Sequence, residues 1–241
     1  MTPAPAIVLR GRADISGAPL FPELRLELPA GCWTGLLGAS GVGKSTILRL
    51  IAGLDTGARF SGTIAANDGA PLAGRIAFMG QSDLLAPWLD VLGNVSLGPM
   101  LRGETPDLAR AYAIIDQVGL KRHVRQRPHT LSGGQRQRAA LARTLFEDRP
   151  VVLLDEPFSA LDARTRAEMQ EIAGRLLAGR TVLLVTHDPG EAARLSHHAW
   201  LMSESGLQAL EVPATPVVRP VDDAATMAAQ AAMYRKLRRL P

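Results

Sequence analysis

The nine residues Gly38-Ala39-Ser40-Gly41-Val42-Gly43-Lys44-Ser45-Thr46 restrict the folds open to this chain more than any other feature. They match G-x-x-x-x-G-K-[ST], a pattern that has meaning only between a strand and a helix. Both flanks comply. An apolar strand pattern ends at Leu37, and a helical pattern through Ile47, Leu48, Leu50 and Ile51 follows Ser45. Glycines at 38, 41 and 43 let the backbone curl until its N–H groups point inward at an anion. The helix N-terminus adds partial positive charge at the same place. Lys44 is placed to reach the outer phosphates of a nucleoside triphosphate and Ser45 to hold Mg2+. A glycine-rich turn without a ligand is the competing interpretation, and the two flanks argue against it.

The rest of the chain suits an α/β fold. Val151-Val152-Leu153-Leu154 and Val182-Leu183-Leu184-Val185 read as buried strands. Between them Met169, Ile172, Ala173 and Leu176 mark one stripe of a helix. Leu24-Arg25-Leu26-Glu27-Leu28 alternates as a half-exposed antiparallel strand does. Residues from about Leu89 to Glu147 show helical patterns without a convincing strand and read as a helical insertion. The expected division is a nucleotide-binding domain over residues 1–211, with the insertion at about 89–147, and a C-terminal tail over 212–241. The tail is irregular at Pro213, Pro216 and Pro220. An alanine-rich helix then opens on Asp222-Asp223 and closes on Arg235, Lys236, Arg238 and Arg239, a polarity that suits the helix dipole.

With 241 residues, 46% of them hydrophobic and 21% charged, the composition is that of a globular protein. No apolar run approaches the ~18 residues of a membrane span, and the start does not read as a secretory signal. Cys32, the only cysteine, excludes an internal disulfide and fits a reducing compartment. The net charge of +4 leaves nucleic acid or an anionic membrane open as partners, but a solvated arginine-rich face explains it more simply.

Two acids end a strand at Asp155-Glu156. Alone they read as an ordinary turn or helix cap. Beside a phosphate loop, Asp155 becomes a support for Mg2+ and Glu156 a candidate general base for an attacking water. Thr186-His187-Asp188 closes the next strand, where His187 is either structural or a contact to the terminal phosphate. Gln81 follows the strand pattern Ile76-Ala77-Phe78-Met79. It is either a ligand of Mg2+ and water or a plain loop residue. Leu131-Ser132-Gly133-Gly134-Gln135 opens a helix running through Arg138, Ala142 and Leu145, which makes a second anion-binding nest. A second cradle in one chain is economically explained if it serves the triphosphate of another copy arranged head to tail.

Taken in order, Gly38–Thr46, Gln81, Leu131–Gln135, Val151–Glu156, Ser159-Ala160-Leu161-Asp162 and His187 resemble the ATP-binding cassette family, over nearly the entire chain. The resemblance implies a P-loop α/β ATPase core with a small antiparallel β subdomain and a helical subdomain. It implies two ATPs sandwiched in a homodimer. Gly38–Thr46 would bind phosphate and Asp155 would support Mg2+, with Glu156 as base, Gln81 as sensor and His187 as switch. Ser132, Gly133, Gly134 and Gln135 would serve the partner's ATP, and Asp162 would communicate across the dimer. Such proteins usually stack the adenine on an aromatic ring. Ile15 stands at the corresponding position, and Phe21 reads as core.

The chain has neither the coiled-coil interruption of repair cassettes nor the tandem cassettes of translation ATPases. A single cassette resembles the subunits of bacterial importers, peripheral on the cytoplasmic face of the membrane beneath a separate permease that works with a solute-binding protein. The segment Asp83–Val95, with Pro87-Trp88-Leu89, is similar to importers of the nitrate, sulfonate and taurine group. It is also similar to their relatives that import the hydroxymethylpyrimidine precursor of thiamine. By that resemblance Trp88 meets a helix of the permease rather than filling a turn. A cassette ATPase acting on nucleic acid, or a lipoprotein-releasing cassette, is the alternative. No nucleic-acid partner is expected.

Overall fold

A computed structural model describes residues 3–239. In chain order its elements are β1 (Ile7–Ile15), β2 (Ala18–Leu28), β3 (Trp33–Gly38), α1 (Lys44–Ile51), β4 (Arg59–Ala66), β5 (Ile76–Met79), α2 (Val91–Val95), α3 (Leu97–Leu101) and α4 (Leu108–Gln117). There follow α5 (Gly133–Phe146), β6 (Val151–Asp155), α6 (Ala163–Leu176), β7 (Thr181–Val185), α7 (Pro189–Leu195), β8 (His198–Ser203), β9 (Gly206–Leu210) and α8 (Ala224–Leu237). The first of two units takes the described residues up to Ile76, with Arg149–Glu156 and those from Ala178 onward. The second takes Ala77–Asp148 and Pro157–Leu177.

In the first unit the strands β6-β7-β3-β8-β9 pair in that order, all parallel except β9. Every residue of β3, β6 and β7 is buried. Strands covered on both faces must be apolar throughout, which is why they read as continuous runs. A separate antiparallel sheet, β2-β1-β4, belongs to the same unit. There Leu24, Leu26 and Leu28 are buried while Arg25 and Glu27 face solvent. The strand opens six residues earlier than its alternation suggests, at Ala18 rather than Leu24. Pro19 and Pro22 mask that start. Proline is tolerated there because β2 is an edge strand, where a missing N–H costs no ladder bond.

The C-terminal segment is built onto the same unit. Leu37, Ala192, Ala193, Leu201 and Met233 share one apolar cluster, so α8 packs on α7. Asp223 caps α8 by accepting from the Thr226 amide at 2.8 Å.

The second unit is helical. Its core gathers Val91, Val95, Ala111, Ile115, Leu131, Ala139, Leu141 and Leu145, with α5 packed against α2, α4 and α6. Arg110 lies over the Phe146 ring, 5.1 Å from its centroid. Among the described residues no helix is long and apolar enough to cross a membrane.

Candidate active site

The phosphate loop begins where β3 runs out of room. A side chain at Gly38 would place its Cβ 2.4 Å from the carbonyl oxygen of Met202, so only glycine fits there. Gly43, at φ 100°, forms the N-cap of α1, and its missing side chain leaves space for the buried Phe21 ring. Ser40 and Gly41 are exposed, whereas Lys44 is buried. The Lys44 ammonium donates to the carbonyls of Gly38 at 2.9 Å and Ala39 at 2.7 Å. Burial lowers its pKa below the ordinary lysine value, opposed by the charges of Glu156 and Asp155.

Asp155 ends β6 beside this lysine. Burial raises its pKa above the usual carboxylate range, opposed by a hydrogen bond from Ser45 and the charges of Lys44 and Arg49. Its Oδ1 is buried without a hydrogen-bond partner. Glu156 follows in the left-handed region at φ 50°, a conformation that costs about 1–3 kcal/mol for a side-chain-bearing residue. Its amide donates to the Val185 carbonyl at 2.9 Å, which anchors the strained residue to the neighbouring strand. The result aims the carboxylate at His187, whose Nδ1 lies 3.3 Å from Glu156 Oε1. The first unit thus assembles Lys44, Ser45, Asp155, Glu156 and His187 around the N-terminus of α1. Thr46 lies in the first turn of that helix.

Ile15 closes β1 and is 41% exposed. The turn after it, Ser16-Gly17, has both residues at positive φ, the geometry of a tight two-residue hairpin. Phe21 is 1% exposed and belongs to the core. A cleft of about 610 Å3 lies against the loop, lined by Pro19, Leu20, Phe21, Pro22, Ser40, Gly41, Val42 and Glu204.

Gln81 and Leu131–Gln135 belong to the second unit. Ser132 and Gln135 form a reciprocal capping box. The Gln135 amide donates to Ser132 Oγ at 3.2 Å, and the Ser132 amide donates to Gln135 Oε1 at 2.8 Å. The side chains of this motif therefore shape the helix N-terminus, and the first-turn amides of Gly133 and Gly134 lack intrahelical acceptors. Gln137 accepts from the Ala160 amide at 2.9 Å and donates to Ser159 Oγ, joining α5 to the segment before α6. Asp162 caps α6 through the Thr165 amide at 3.0 Å.

No local pattern marks Asp83, Asn94, Arg136 or Arg143, yet they organise the segment after Gln81. Arg136 Nε donates to Asp83 Oδ2 at 2.9 Å, and Arg143 donates to the carbonyls of Asp83 and Leu84, both at 2.8 Å. The buried Asn94 accepts from the Ala86 amide and donates to the carbonyls of Ala86, Leu89 and Asp90. This scaffold presents Trp88 to solvent, 71% exposed. Arg136 and Arg143 are separated from Asp83 by 53 and 60 residues, so sequence spacing carries no sign of these bonds.

Comparison with known proteins accords with this geometry. Residues 21–159 match the family described as ABC transporter. An uncharacterised ABC transporter ATP-binding protein of Haemophilus influenzae is 44% identical over 78% of this chain and 77% of its own length. The aliphatic sulfonates import ATP-binding protein SsuB 1 of Rhodococcus jostii is 45% identical over 77% of this chain and 74% of its own. Among solved structures, the dimeric ATP-binding cassette MJ0796, in a post-hydrolysis state bound to ADP and Pi, superposes with a TM-score of 0.76 at 27% identity. It covers 87% of this chain and all of that one. The phosphate loop, the paired acids and these relatives lead to one assignment: the chain belongs to the ABC transporter family and is an ATP-binding, ATP-hydrolysing cassette.

Proposed function

We propose that this cassette powers a bacterial importer of a small organic solute, working as a homodimer beneath a separate membrane permease supplied by a solute-binding protein. The observation that carries the catalytic reading is the Glu156–His187 pair at 3.3 Å, held beside Lys44 at the end of β6. On this reading the loop Gly38–Thr46 cradles the phosphates with its amides, and Lys44 exchanges its loop carbonyls for phosphate oxygens. Ile15 packs on the base without stacking. Ser45 and Asp155 supply hard oxygen ligands, and the unpartnered Asp155 Oδ1 fits a Mg2+ coordination shell directly or through water. Among the described residues no three His, Cys, Asp or Glu side chains cluster as a metal site. Mg2+ here would draw its remaining ligands from phosphate and water. When bound, it would neutralise charge on the phosphate oxygens.

Glu156 accepts the proton of the attacking water, and His187 contacts the γ-phosphate and steadies the Glu156 carboxylate. Ser132, Gly133, Gly134 and Gln135 offer the helix N-terminus to the ATP of the second copy, and Asp162 lies on the path between the copies. Residues 1–211 form the functional domain, and 212–241 are an appended tail. The exposed Trp88, buttressed by Asn94, is the anchor for a permease helix on the cytoplasmic side. Several relatives are named for aliphatic sulfonate import, which favours a sulfonate-like anion over nitrate or a thiamine pyrimidine precursor.

The test is a pull-down of tagged Glu156→Gln protein from detergent-solubilised native membranes with ATP, with partners identified by mass spectrometry. Recovery of a polytopic permease is expected. Recovery of soluble or DNA-bound partners alone would leave the ATPase standing and overturn the transport role.

A further inference from the structure

Building on the Glu156–His187 reading, we propose that Thr186 and Glu191 are positioning residues that hold His187 against Glu156. The His187 side chain is 61% exposed, so packing does not set its place. Its backbone does. Thr186, immediately before it, is 1% exposed, and Glu191, in the first turn of α7, is 4% exposed. A buried carboxylate is costly unless hydrogen-bonded. Thr186 Oγ1 donates to Glu191 Oε2 at 2.6 Å and accepts from the Asp188 amide at 3.0 Å.

One hydroxyl thereby ties together the residues on either side of His187 and fastens both to α7. The Thr186 amide donates to the Leu36 carbonyl at 3.2 Å, fixing the same point to β3. Asp188 accepts from the Gly190 amide at 2.7 Å, which closes the turn into the helix. His187 thus projects from a backbone held by hydrogen bonds before and after it, with its ring within reach of Glu156. Neither Thr186 nor Glu191 need touch the nucleotide. Glu191 acts on His187 through the Thr186 hydroxyl.

The test compares ATP turnover by the purified full-length protein and its variants. Thr186→Val keeps the β-branched shape and removes the hydroxyl. It is expected to lower kcat roughly tenfold or more, because a misplacement of about 1 Å is felt strongly in catalysis. The KM for ATP and the melting temperature should change little. Thr186→Ser keeps the hydroxyl and should restore kcat. Glu191→Met should resemble Thr186→Val, and the double variant should be no worse than either, as two parts of one network require. If Glu191→Met does not fold, Thr186→Val and Thr186→Ser decide the matter. A fall in melting temperature that parallels the fall in kcat, without rescue by serine, would reduce the pair to a structural role and overturn the proposal. Glu156→Gln separates the two levels. Normal turnover by that variant removes the reading of the acid and the proposal with it. An inactive Glu156→Gln beside a fully active Thr186→Val overturns the positioning role alone.

Discussion

The guanidinium of Arg219 donates to the carbonyl of Ala193 at 2.7 Å, tying the C-terminal segment to the last turn of α7. The same side chain reaches the carbonyls of Ser196 at 2.9 Å, Pro213 at 2.6 Å and Thr215 at 3.0 Å. The Arg219 amide and carbonyl also pair with the carbonyl and Nε of Arg194. A cation against exposed carbonyls is the favourable arrangement at a helix C-terminus. Here it is 2% exposed, so its four side-chain bonds are made away from water.

Arg219→Met should leave those carbonyls without donors and cost about 3 kcal/mol. For a chain of this size that lowers the melting temperature by roughly 6–12 °C. Thermal unfolding followed by circular dichroism measures it. A change of less than roughly 2 °C would mean that water replaces the guanidinium almost fully.

Acid should destabilise the same region through His197. Its Nδ1 accepts from the Trp33 amide at 2.9 Å, which only the uncharged nitrogen can do. Burial, then the positive charges of Arg219 and His198, holds its pKa below the ordinary 6.5. The unfolded ring takes up a proton near 6.5 while the folded ring does not, so the unfolded state binds more protons in that window. The stability contribution is therefore fully present above pH 6.5 and is lost as pH falls toward the depressed folded value. Urea midpoints across that range should decline for the native sequence and decline less for His197→Asn. Equal slopes would remove His197 from the account.

Replacing Glu156 by glutamine should cut kcat by at least roughly 100-fold while ATP binding persists, because the carboxamide cannot accept the proton. Lys44→Met should instead weaken nucleotide binding itself. Turnover assays paired with equilibrium binding separate the two patterns.

If Ile15 packs on the base as proposed, Ile15→Tyr should tighten ATP binding. An aromatic ring at this half-exposed position adds about 1 kcal/mol of stacking, or roughly fivefold in Kd. Titration with ATP and a second purine nucleotide triphosphate tests it. An unchanged Kd would place the base away from the end of β1.

Local chemistry made parts of this molecule legible in advance. Gly38, Gly43, Lys44 and Ser45 are fixed in type and spacing by the curl of one loop, so their pattern is visible within nine residues. The runs 151–154 and 182–185 within β6 and β7 are apolar because both faces of these strands are covered, and that too is a local signal. The start of β2 was hidden by Pro19 and Pro22, whose usual meaning is a break. Only the strand's edge position makes them acceptable.

By itself, then, the sequence determined the glycine loop between β3 and α1, the parallel strands beside it and the helix that opens at Ser132-Gly133. In each of these the partners lie within a few residues and the backbone period orients them. Tertiary structure alone decided the distance from His187 to Glu156, the bond from Thr186 to Glu191 as a constraint on that distance, and the clasp of Arg219 on Ala193. Asp83 and Arg136 belong with these. Each joins groups whose approach depends on how separate elements pack, and a polar side chain has no sequence period from which its distant partner can be read.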